Sequence, residues 1–316
     1  MKRSNRMKEK VLVIVGPTAV GKTALGVSLA KKYNGEVISG DSLQVYRGLD
    51  VGTAKATEEE MDGIPHHLID VCELGDTFSA SDFQEQGRAL IQDITSRGKL
   101  PIIVGGTGLY VQALLFDFQL GGEEKVQENS VLRDELQAYA DTEGPDKLWK
   151  RLESQDKRAA GQIHPNNVKR VIRAIEVIET TGKSITEQKQ VDYKDLSNAL
   201  YDVKFIALGT DRERLYERIN RRVDLMVPKG IETEAKMIFD FGECQAAQGI
   251  GYKEFFPYFE GRATKEETIE LVKQQSRRYA KRQMTWFRNR TSAQWWDILS
   301  EPDAVEQLEK SVAEWL

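Results

Sequence analysis

A phosphate-binding loop is the clearest chemical feature of the sequence. Residues 16–23 match the pattern G-x-x-x-x-G-K-[ST] at every position, after an apolar run and before a helical pattern. Glycines let such a loop turn tightly, so that backbone N–H groups converge on one anion. Lysine adds a full charge, and the last hydroxyl can hold Mg²⁺. We therefore expect polyphosphate binding by Gly16, Pro17, Thr18, Ala19, Val20, Gly21, Lys22 and Thr23, with Thr23 also as the metal ligand.

The loop alone does not identify the phosphate compound. A small-molecule kinase that uses ATP, a regulatory NTPase and a transferase with a diphosphate ester as donor remain open. An ordinary NTPase places an acidic residue at the end of a second apolar strand, where it holds the metal. Here the apolar run 102–104 ends in Gly105-Gly106-Thr107-Gly108 and has no carboxylate. This disfavours the NTPase and indicates a second loop that either approaches a ligand closely or is a plain turn.

The best carboxylate candidate is Asp41. It follows the short strand-like run 37–39, and parallel strands end at the edge of a sheet where such folds bind ligands. There Asp41 can hold Mg²⁺ or act as a general base, unless it only caps the next segment. His66 and His67 are weaker candidates, because neighbours on a strand point to opposite faces. We expect one of them to be packed and the other exposed.

These residues need a sheet to position them. Strand patterns at 11–15, 36–39, 67–71 and 101–104 alternate with helical patterns at 22–33 and from Ser79 or Ser81 to about 96. This order predicts an α/β fold, with a parallel sheet core of the P-loop NTPase type. Residues 123–190 are highly charged and helical in pattern, whereas 202–208 again resembles a strand. We expect a core formed by 8–120 and 201–316, with helices in its C-terminal part, and a helical insertion domain at 121–200.

Composition limits the class of protein. The chain has 316 residues, of which 40% are hydrophobic and 30% charged, as in ordinary globular proteins. No run reaches the roughly 18 apolar residues of a membrane helix. Cys72 and Cys244 are too few and too far apart for a disulfide framework. We expect a cytoplasmic monomer without membrane contact. The net charge of −5 argues only weakly against nucleic acid, because the distribution of charge matters more than its sum.

Seven segments form a specific set of motifs, at 16–23, 40–46, 64–70, 104–110, 170–177, 249–254 and 278–288. Together they resemble the bacterial tRNA dimethylallyltransferase family. They run in family order over nearly the whole chain, from residue 11 to about 290, and the set is far more specific than the phosphate loop alone. The lack of an acidic strand end is also a feature of that family.

The resemblance implies a reaction. A dimethylallyl group would move from dimethylallyl diphosphate to the exocyclic amine of the adenosine on the 3′ side of a tRNA anticodon, and diphosphate would leave. The phosphate loop would hold the donor with Mg²⁺. Asp41 would accept the proton of the amine. Either Arg218 or Arg222 would contact the diphosphate, unless both lie on a solvated helix face. Thr107 matches a family position on the tRNA-facing side of the reaction tunnel.

The RNA side is visible as a basic stretch. Residues 273–290 contain seven cations, no carboxylate and interleaved aromatic rings, as expected of a surface for loop RNA or of a charged helix with a buried aromatic stripe. Family segments that touch the anticodon stem-loop match 165–173 and 247–252. The residues expected to contact tRNA are Asp41, Ser42, Leu43, Gln44, Thr107, Pro165, Asn166, Asn167, Val168, Lys169, Gly249, Gly251, Tyr252, Arg278, Lys281 and Arg282.

The main alternative enzyme is a prenyltransferase that acts on free adenine nucleotides. Such an enzyme could use the same phosphate loop but needs no RNA surface. The helical insertion and the basic stretch favour tRNA as the acceptor.

Overall fold

The computed structural model describes residues 8–117, 129–186 and 192–316. The chain divides into two compact units, one formed by Met1–Asp117 with Asp192–Leu316 and the other by Phe118–Val191. The parts of the expected insertion at 121–128 and 187–191 lie outside the described residues. No helix in the described ranges is long and apolar enough to cross a bilayer.

The first unit contains a six-stranded sheet in the order β3-β2-β4-β1-β5-β6, and every strand pairing in it is parallel. This confirms the predicted α/β class. The strands are β1 (Lys10–Val15), β2 (Gly35–Gly40), β3 (His66–His67), β4 (Leu100–Gly105), β5 (Asp202–Leu208) and β6 (Gln294–Trp296).

Helices of the first unit surround this sheet. They are α1 (Lys22–Lys32), α2 (Glu58–Met61), α3 (Ala80–Ser96), α4 (Gly108–Leu115), α9 (Arg212–Lys229), α10 (Ile231–Phe241), α11 (Phe256–Phe259), α12 (Lys265–Arg290) and α13 (Ala304–Trp315), with 3₁₀ turns at Leu196–Asn198, Gln245–Gln248 and Lys253–Phe255. The second unit contributes α5 (Ser130–Glu143), α6 (Pro145–Gln155), α7 (Lys157–Ala160) and α8 (Val168–Thr181).

Local sequence explains the central elements. Residues Val11–Val15 of β1 are fully buried, as expected of a β-branched run between two parallel neighbours. Helix α3 begins where predicted, because the Ser79 hydroxyl accepts from the backbone N–H groups of Ser81 and Asp82 and the Asp82 carboxylate accepts from the Ser79 N–H. Strand β5 joins the sheet beside β1, as the pattern at 202–208 predicted.

Two strands differ from the sequence prediction. The third strand was expected at 67–71 but comprises only His66–His67, because Leu68 and Asp70 adopt left-handed backbone angles with φ of 59° and 55°. Strand β6 was not predicted at all. Its three residues are too few for a periodic signal, and it pairs with Ile206–Leu208 at the edge of the sheet.

The second unit has its own apolar core. Leu136, Leu148 and Leu152 are buried there, whereas Val131 is 66% exposed. Glu176 is fully buried and receives hydrogen bonds from Arg133 and Arg173. These pairs keep the Glu176 pKa below its ordinary value despite burial, which acts in the opposite direction.

Candidate active site

A cavity of about 410 Å³ lies at the carboxyl edge of the sheet in the first unit. The register explains why chemistry converges there. Gly40 of β2 and Val15 of β1 both pair with Gly105 of β4, so the residues that follow these three strands meet at one place. The phosphate loop directly follows β1, Asp41 directly follows β2, and Gly106 directly follows β4.

The phosphate loop needs its glycines. Gly16 has a φ of 146°, and a Cβ there would lie 2.5 Å from the carbonyl oxygen of Leu208 in β5. Gly21 has a φ of 93° and stands at the N-cap of α1, where it offers no side chain to cap the helix. The first turn of α1 contains no acidic residue. The N–H groups of the first turn of α1 and the positive end of its dipole therefore meet no capping side chain and are available to an anion.

Lys22 is the cation of this loop. Its Nζ donates to the Pro17 carbonyl oxygen at 2.6 Å and lines the cavity. Burial, together with the nearby Arg222, lowers the Lys22 pKa to about 7, while Asp41 acts in the opposite direction. A bound anion would restore the charged form. Thr23, the expected Mg²⁺ ligand, lines the same cavity.

The two candidate arginines lie one turn apart on α9 and have different surroundings. The Arg222 guanidinium donates to the Thr18 hydroxyl and lines the cavity, and burial lowers its pKa. Arg218 is exposed and does not line the cavity; its Nε donates to the Ala19 carbonyl oxygen at 2.7 Å. Arg222 therefore lies on the phosphate side of the cavity wall. Arg218 instead supports the phosphate loop from outside the cavity.

Asp41 and Thr107 are joined through the backbone. Asp41 lines the cavity, and its Oδ1 accepts from the Leu43 N–H at 2.9 Å, so the local capping contact and the cavity position occur together. The Thr107 hydroxyl accepts from the Ser42 N–H at 3.3 Å, and the Thr107 N–H donates to the Gly40 carbonyl oxygen at 3.2 Å. Thr107 thus fixes the chain on both sides of Asp41.

Sequence reasoning missed Gln283. Its Oε1 accepts from the Thr18 N–H at 3.3 Å, and its Nε2 donates to the Gly106 carbonyl oxygen at 3.0 Å. Tyr279, one turn earlier on α12, lies against Thr107 and Gln283. Both side chains belong to the stretch assigned to RNA. Their spacing of four residues, which places them on one helix face, was the available signal for an inward role.

Comparisons with known proteins identify the family of this chain. The model of the IPP transferase family matches residues 44–290. A tRNA dimethylallyltransferase of Enterococcus faecalis is 58% identical over 308 residues, which cover 98% of each chain. The chain belongs to the tRNA dimethylallyltransferase family.

Two solved structures support the same assignment. A tRNA isopentenylpyrophosphate transferase from Bacillus halodurans has a TM-score of 0.72 and 47% identity, with 98% of this chain and 97% of that chain covered. A eukaryotic dimethylallyltransferase described as acting on tRNA has a TM-score of 0.80 and 30% identity, with 97% and 79% covered. The resemblance found in the seven motifs is confirmed, and family membership disfavours the kinase and the regulatory NTPase.

The segment after Asp41, which was expected to contact tRNA, lines the cavity. Ser42, Leu43 and Gln44 all contribute to its wall. The Gln44 carboxamide is held at both ends, because its Oε1 accepts from the Ser39 hydroxyl at 2.8 Å and its Nε2 donates to the carbonyl oxygens of Thr53 and Ala54. Its orientation is therefore fixed by the protein.

The glycine segment at 249–252 divides into two parts. Gly249 and Gly251 line the cavity, whereas the Tyr252 side chain is fully buried and donates from its hydroxyl to Glu234 at 2.8 Å. The prediction that Tyr252 contacts tRNA is wrong for this structure, because a side chain without exposed surface cannot touch RNA. Tyr252 instead supports the wall that the glycines form.

Helix α12 carries the predicted basic surface, but not every cation belongs to it. Lys273 pairs with Asp224 and Glu270, and Arg277 donates to Asn220, so these two cations are used within the protein. Phe287 is fully buried, which agrees in part with the alternative of a buried aromatic stripe. The exposed cations of the helix are Arg278, Lys281, Arg282, Arg288 and Arg290.

The remaining tRNA candidates lie in the second unit. Pro165, Asn166, Asn167, Val168 and Lys169 form the turn into α8, with Asn167 at its N-cap. The Asn166 N–H donates to the His164 ring at 3.2 Å. Asn166, Asn167 and Lys169 are exposed, so this turn presents polar groups at the surface of its unit.

The two adjacent histidines differ from the expectation of one packed and one exposed side chain, since both are half-buried. His66 lines the cavity with its Nδ1 placed 2.8 Å from the Ile64 carbonyl oxygen, and burial lowers its pKa. His67 contacts Glu36 through Nε2 at 2.8 Å. The short β3 explains why both histidines are half-buried, because the chain leaves the sheet immediately after these two residues.

The pKa of Lys22 predicts proton uptake on donor binding. At pH 8 the free side chain is mostly neutral and the phosphates of a donor are already ionised. A bound diphosphate raises the Lys22 pKa, so binding takes up close to one proton, and affinity falls by up to about tenfold per pH unit above 7. Calorimetry in buffers of different ionisation enthalpy measures this uptake. Lys22→Met is the control that should abolish it, and the absence of proton uptake by the wild type would contradict the assignment.

The positions of the arginines predict unequal effects. Arg222→Gln should lower the rate of the chemical step by about 10²–10³, the usual loss when one donor to a developing oxyanion is removed. Arg218→Gln, a change of the same size and charge on the same helix, should cost less than about tenfold, because it removes a brace and no ligand contact. Single-turnover kinetics compares the two variants, and a larger loss at Arg218 would reverse the assignment.

Proposed function

We propose that this protein transfers the dimethylallyl group of dimethylallyl diphosphate to the N6 amine of the adenosine on the 3′ side of a tRNA anticodon, with release of diphosphate. Family membership supports the reaction. The single observation that carries its application to this chain is the shared cavity, in which a cationic phosphate loop and the Asp41 carboxylate both form part of the wall.

The cationic part of the cavity suits the leaving group. As the bond between the allylic carbon and the bridging oxygen breaks, negative charge grows on the diphosphate. Lys22, Arg222 and the N–H groups at the start of α1 are positioned before the reaction to neutralise that charge. Such groups stabilise the transition state more than the bound donor, because the charge on the leaving oxygen is largest there.

Mg²⁺ fits the same place. Among the described residues, no group of three or more His, Cys, Asp or Glu side chains is placed to hold a metal ion. Mg²⁺ typically takes one or two protein oxygens and completes its shell with substrate phosphates and water. The Thr23 hydroxyl, placed at the start of α1 on the cavity wall, provides such an oxygen. The metal would supply further positive charge to the diphosphate.

Asp41 suits the acceptor side. The lone pair of an adenine amine is delocalised into its ring, so the amine gains nucleophilicity only as its proton is removed. Asp41 can accept this proton while the new carbon–nitrogen bond forms. Thr107 holds the backbone beside Asp41 through the Ser42 N–H and the Gly40 carbonyl oxygen. A carboxylate fixed in this way keeps its position during the reaction.

The acceptor base has to leave its stack to reach a cavity of this kind. We propose that the exposed cations Arg278, Lys281 and Arg282 bind tRNA phosphates, and that the polar turn at 165–169 contacts the anticodon stem-loop. The monomeric state, the cytoplasmic location and the absence of membrane contact stay predictions from the sequence.

Acceptor choice tests the proposal directly. The enzyme is supplied with labelled dimethylallyl diphosphate, Mg²⁺ and either AMP or an anticodon stem-loop with adenosine on the 3′ side of the anticodon. We expect transfer to the stem-loop and little to AMP. Efficient transfer to AMP with none to RNA would instead establish the alternative, a prenyltransferase for free adenine nucleotides.

Removal of the proposed general base, the Asp41 carboxylate, gives a kinetic prediction. Asp41→Asn should lower the single-turnover rate by about 10²–10⁴ and leave stem-loop affinity close to that of the wild type. Asp240→Asn, at an exposed carboxylate that pairs with Lys236 on α10, is the control and should change neither quantity. If stem-loop binding collapsed together with the rate in Asp41→Asn, Asp41 would have a structural role.

The basic surface gives a prediction on salt dependence. Lys281→Ala combined with Arg282→Ala should weaken stem-loop binding and flatten the plot of log affinity against log salt by roughly 0.7 for each RNA phosphate that the variant no longer neutralises. Donor affinity should not change. Lys31→Ala with Lys32→Ala removes the same charge at the far end of α1 and serves as the control. An unchanged salt slope in the first pair would exclude these residues from the RNA site.

A further inference from the structure

Glu234 on α10 accepts four hydrogen bonds. Its Oε1 accepts from the backbone N–H groups of Asp50 at 2.9 Å and Val51 at 2.7 Å. Its Oε2 accepts from the Gly52 N–H at 3.0 Å and from the Tyr252 hydroxyl at 2.8 Å. Three successive N–H groups that converge on one point form a concavity that favours an anion. Here the protein fills that concavity with its own carboxylate.

The four donors belong to two separate segments of the cavity wall. Gly52 lies in the loop at 50–54, and Tyr252 follows the wall-forming Gly249 and Gly251. The Tyr252 ring packs so closely on Gly52 that a Cβ at position 52 would lie 2.5 Å from its Cζ atom. Burial and the Glu234 carboxylate raise the pKa of Tyr252, so its hydroxyl remains protonated and donates. Glu234 therefore ties both segments to α10.

The loop at 50–54 in turn holds Gln44. Its residues Thr53 and Ala54 provide the carbonyl oxygens that accept from the Gln44 amide. From the inner side, the buried Lys55 ammonium fixes the same stretch of chain through the Asp50 carboxylate at 2.6 Å and the Tyr46 carbonyl oxygen at 2.9 Å. A continuous series of contacts thus leads from Glu234 to the carboxamide beside Asp41.

This wall differs chemically from the phosphate side. Lys22 and Arg222 give the phosphate side its positive charge, whereas Gln44, Thr53 and the glycine segment form an uncharged part of the lining. A neutral wall with fixed hydrogen-bonding groups suits a nucleobase edge and does not suit a diphosphate. The wall that Glu234 ties together is therefore the acceptor part of the cavity.

We propose that Glu234 is a positioning residue for the acceptor base: its carboxylate sets the spacing between the 50–54 loop and the Gly249–Tyr252 turn, and thereby the orientation of Gln44. The proposal rests on the proposed function, since it takes an RNA base as the acceptor. Glu234 acts through other residues and itself touches neither donor nor base.

The test separates donor binding from acceptor use. Glu234→Gln keeps the size of the side chain but places an amide donor among four donors. It should lower kcat/KM for the anticodon stem-loop by about 10- to 100-fold, the scale expected when a reacting group is misplaced by about 1 Å. The Kd for dimethylallyl diphosphate should stay within about twofold of the wild type. Glu234→Asp, which keeps the charge, should restore part of the loss.

Two further variants exclude a general loss of structure. Glu232→Gln alters a carboxylate on the same helix that pairs with Lys265, and it should behave as the wild type. Tyr252→Phe deletes one of the four donors and keeps the buried ring. As a single change, it should lower kcat/KM for the stem-loop by a few-fold. Added to Glu234→Gln, it should lower kcat/KM by less than about twofold more, because both changes act on one network.

The outcomes are distinct. Normal stem-loop kinetics in Glu234→Gln would overturn the proposal, as would a parallel loss of donor affinity and melting temperature with no rescue by Glu234→Asp. Fully additive effects of Glu234→Gln and Tyr252→Phe would also contradict it. Failure of the wild type to modify the stem-loop, with donor binding intact, would instead refute the proposed function.

Discussion

The backbone contact between β2 and β4 at Gly40 and Gly105 constrains everything around it. These residues pair in register, and a Cβ on Gly105 would overlap the Gly40 backbone. The close approach lets Thr107 bond to the chain on both sides of Asp41, and it brings Gly106 within reach of Gln283 on α12. The buried Gln283 amide, together with Tyr279, thereby joins the helix with the exposed cations to the reaction site.

The electrostatics of the cavity follow from this geometry. Burial lowers the pKa of both Lys22 and Arg222, the nearby Arg222 lowers that of Lys22 further, and the Asp41 carboxylate acts in the opposite direction on both. Partly buried cations are costly unless they are paired, so an anion such as diphosphate gains more here than it would at an exposed surface.

Local features of the fold could be predicted from the sequence, and features that depend on distant contacts could not. The phosphate loop, β1 and the Ser79 cap are specified by neighbouring residues, and the fold class follows from their order. The early end of β3 depends on the left-handed Leu68, and β6 depends on pairing with β5. In the site, the burial of Tyr252 and the inward position of Gln283 arise from Glu234 and Thr18, which are distant in sequence. A residue can therefore belong to a recognised motif and still have a role that only its contacts reveal.

The central claim is that the phosphate loop holds the diphosphate of a prenyl donor rather than ATP. The most direct measurement is the melting temperature with Mg²⁺ and equal concentrations of either ligand, since a ligand raises it in proportion to the logarithm of its affinity. We predict a clearly larger rise with dimethylallyl diphosphate, and no such rise in Lys22→Met. A larger rise with ATP, accompanied by its hydrolysis, would contradict the claim.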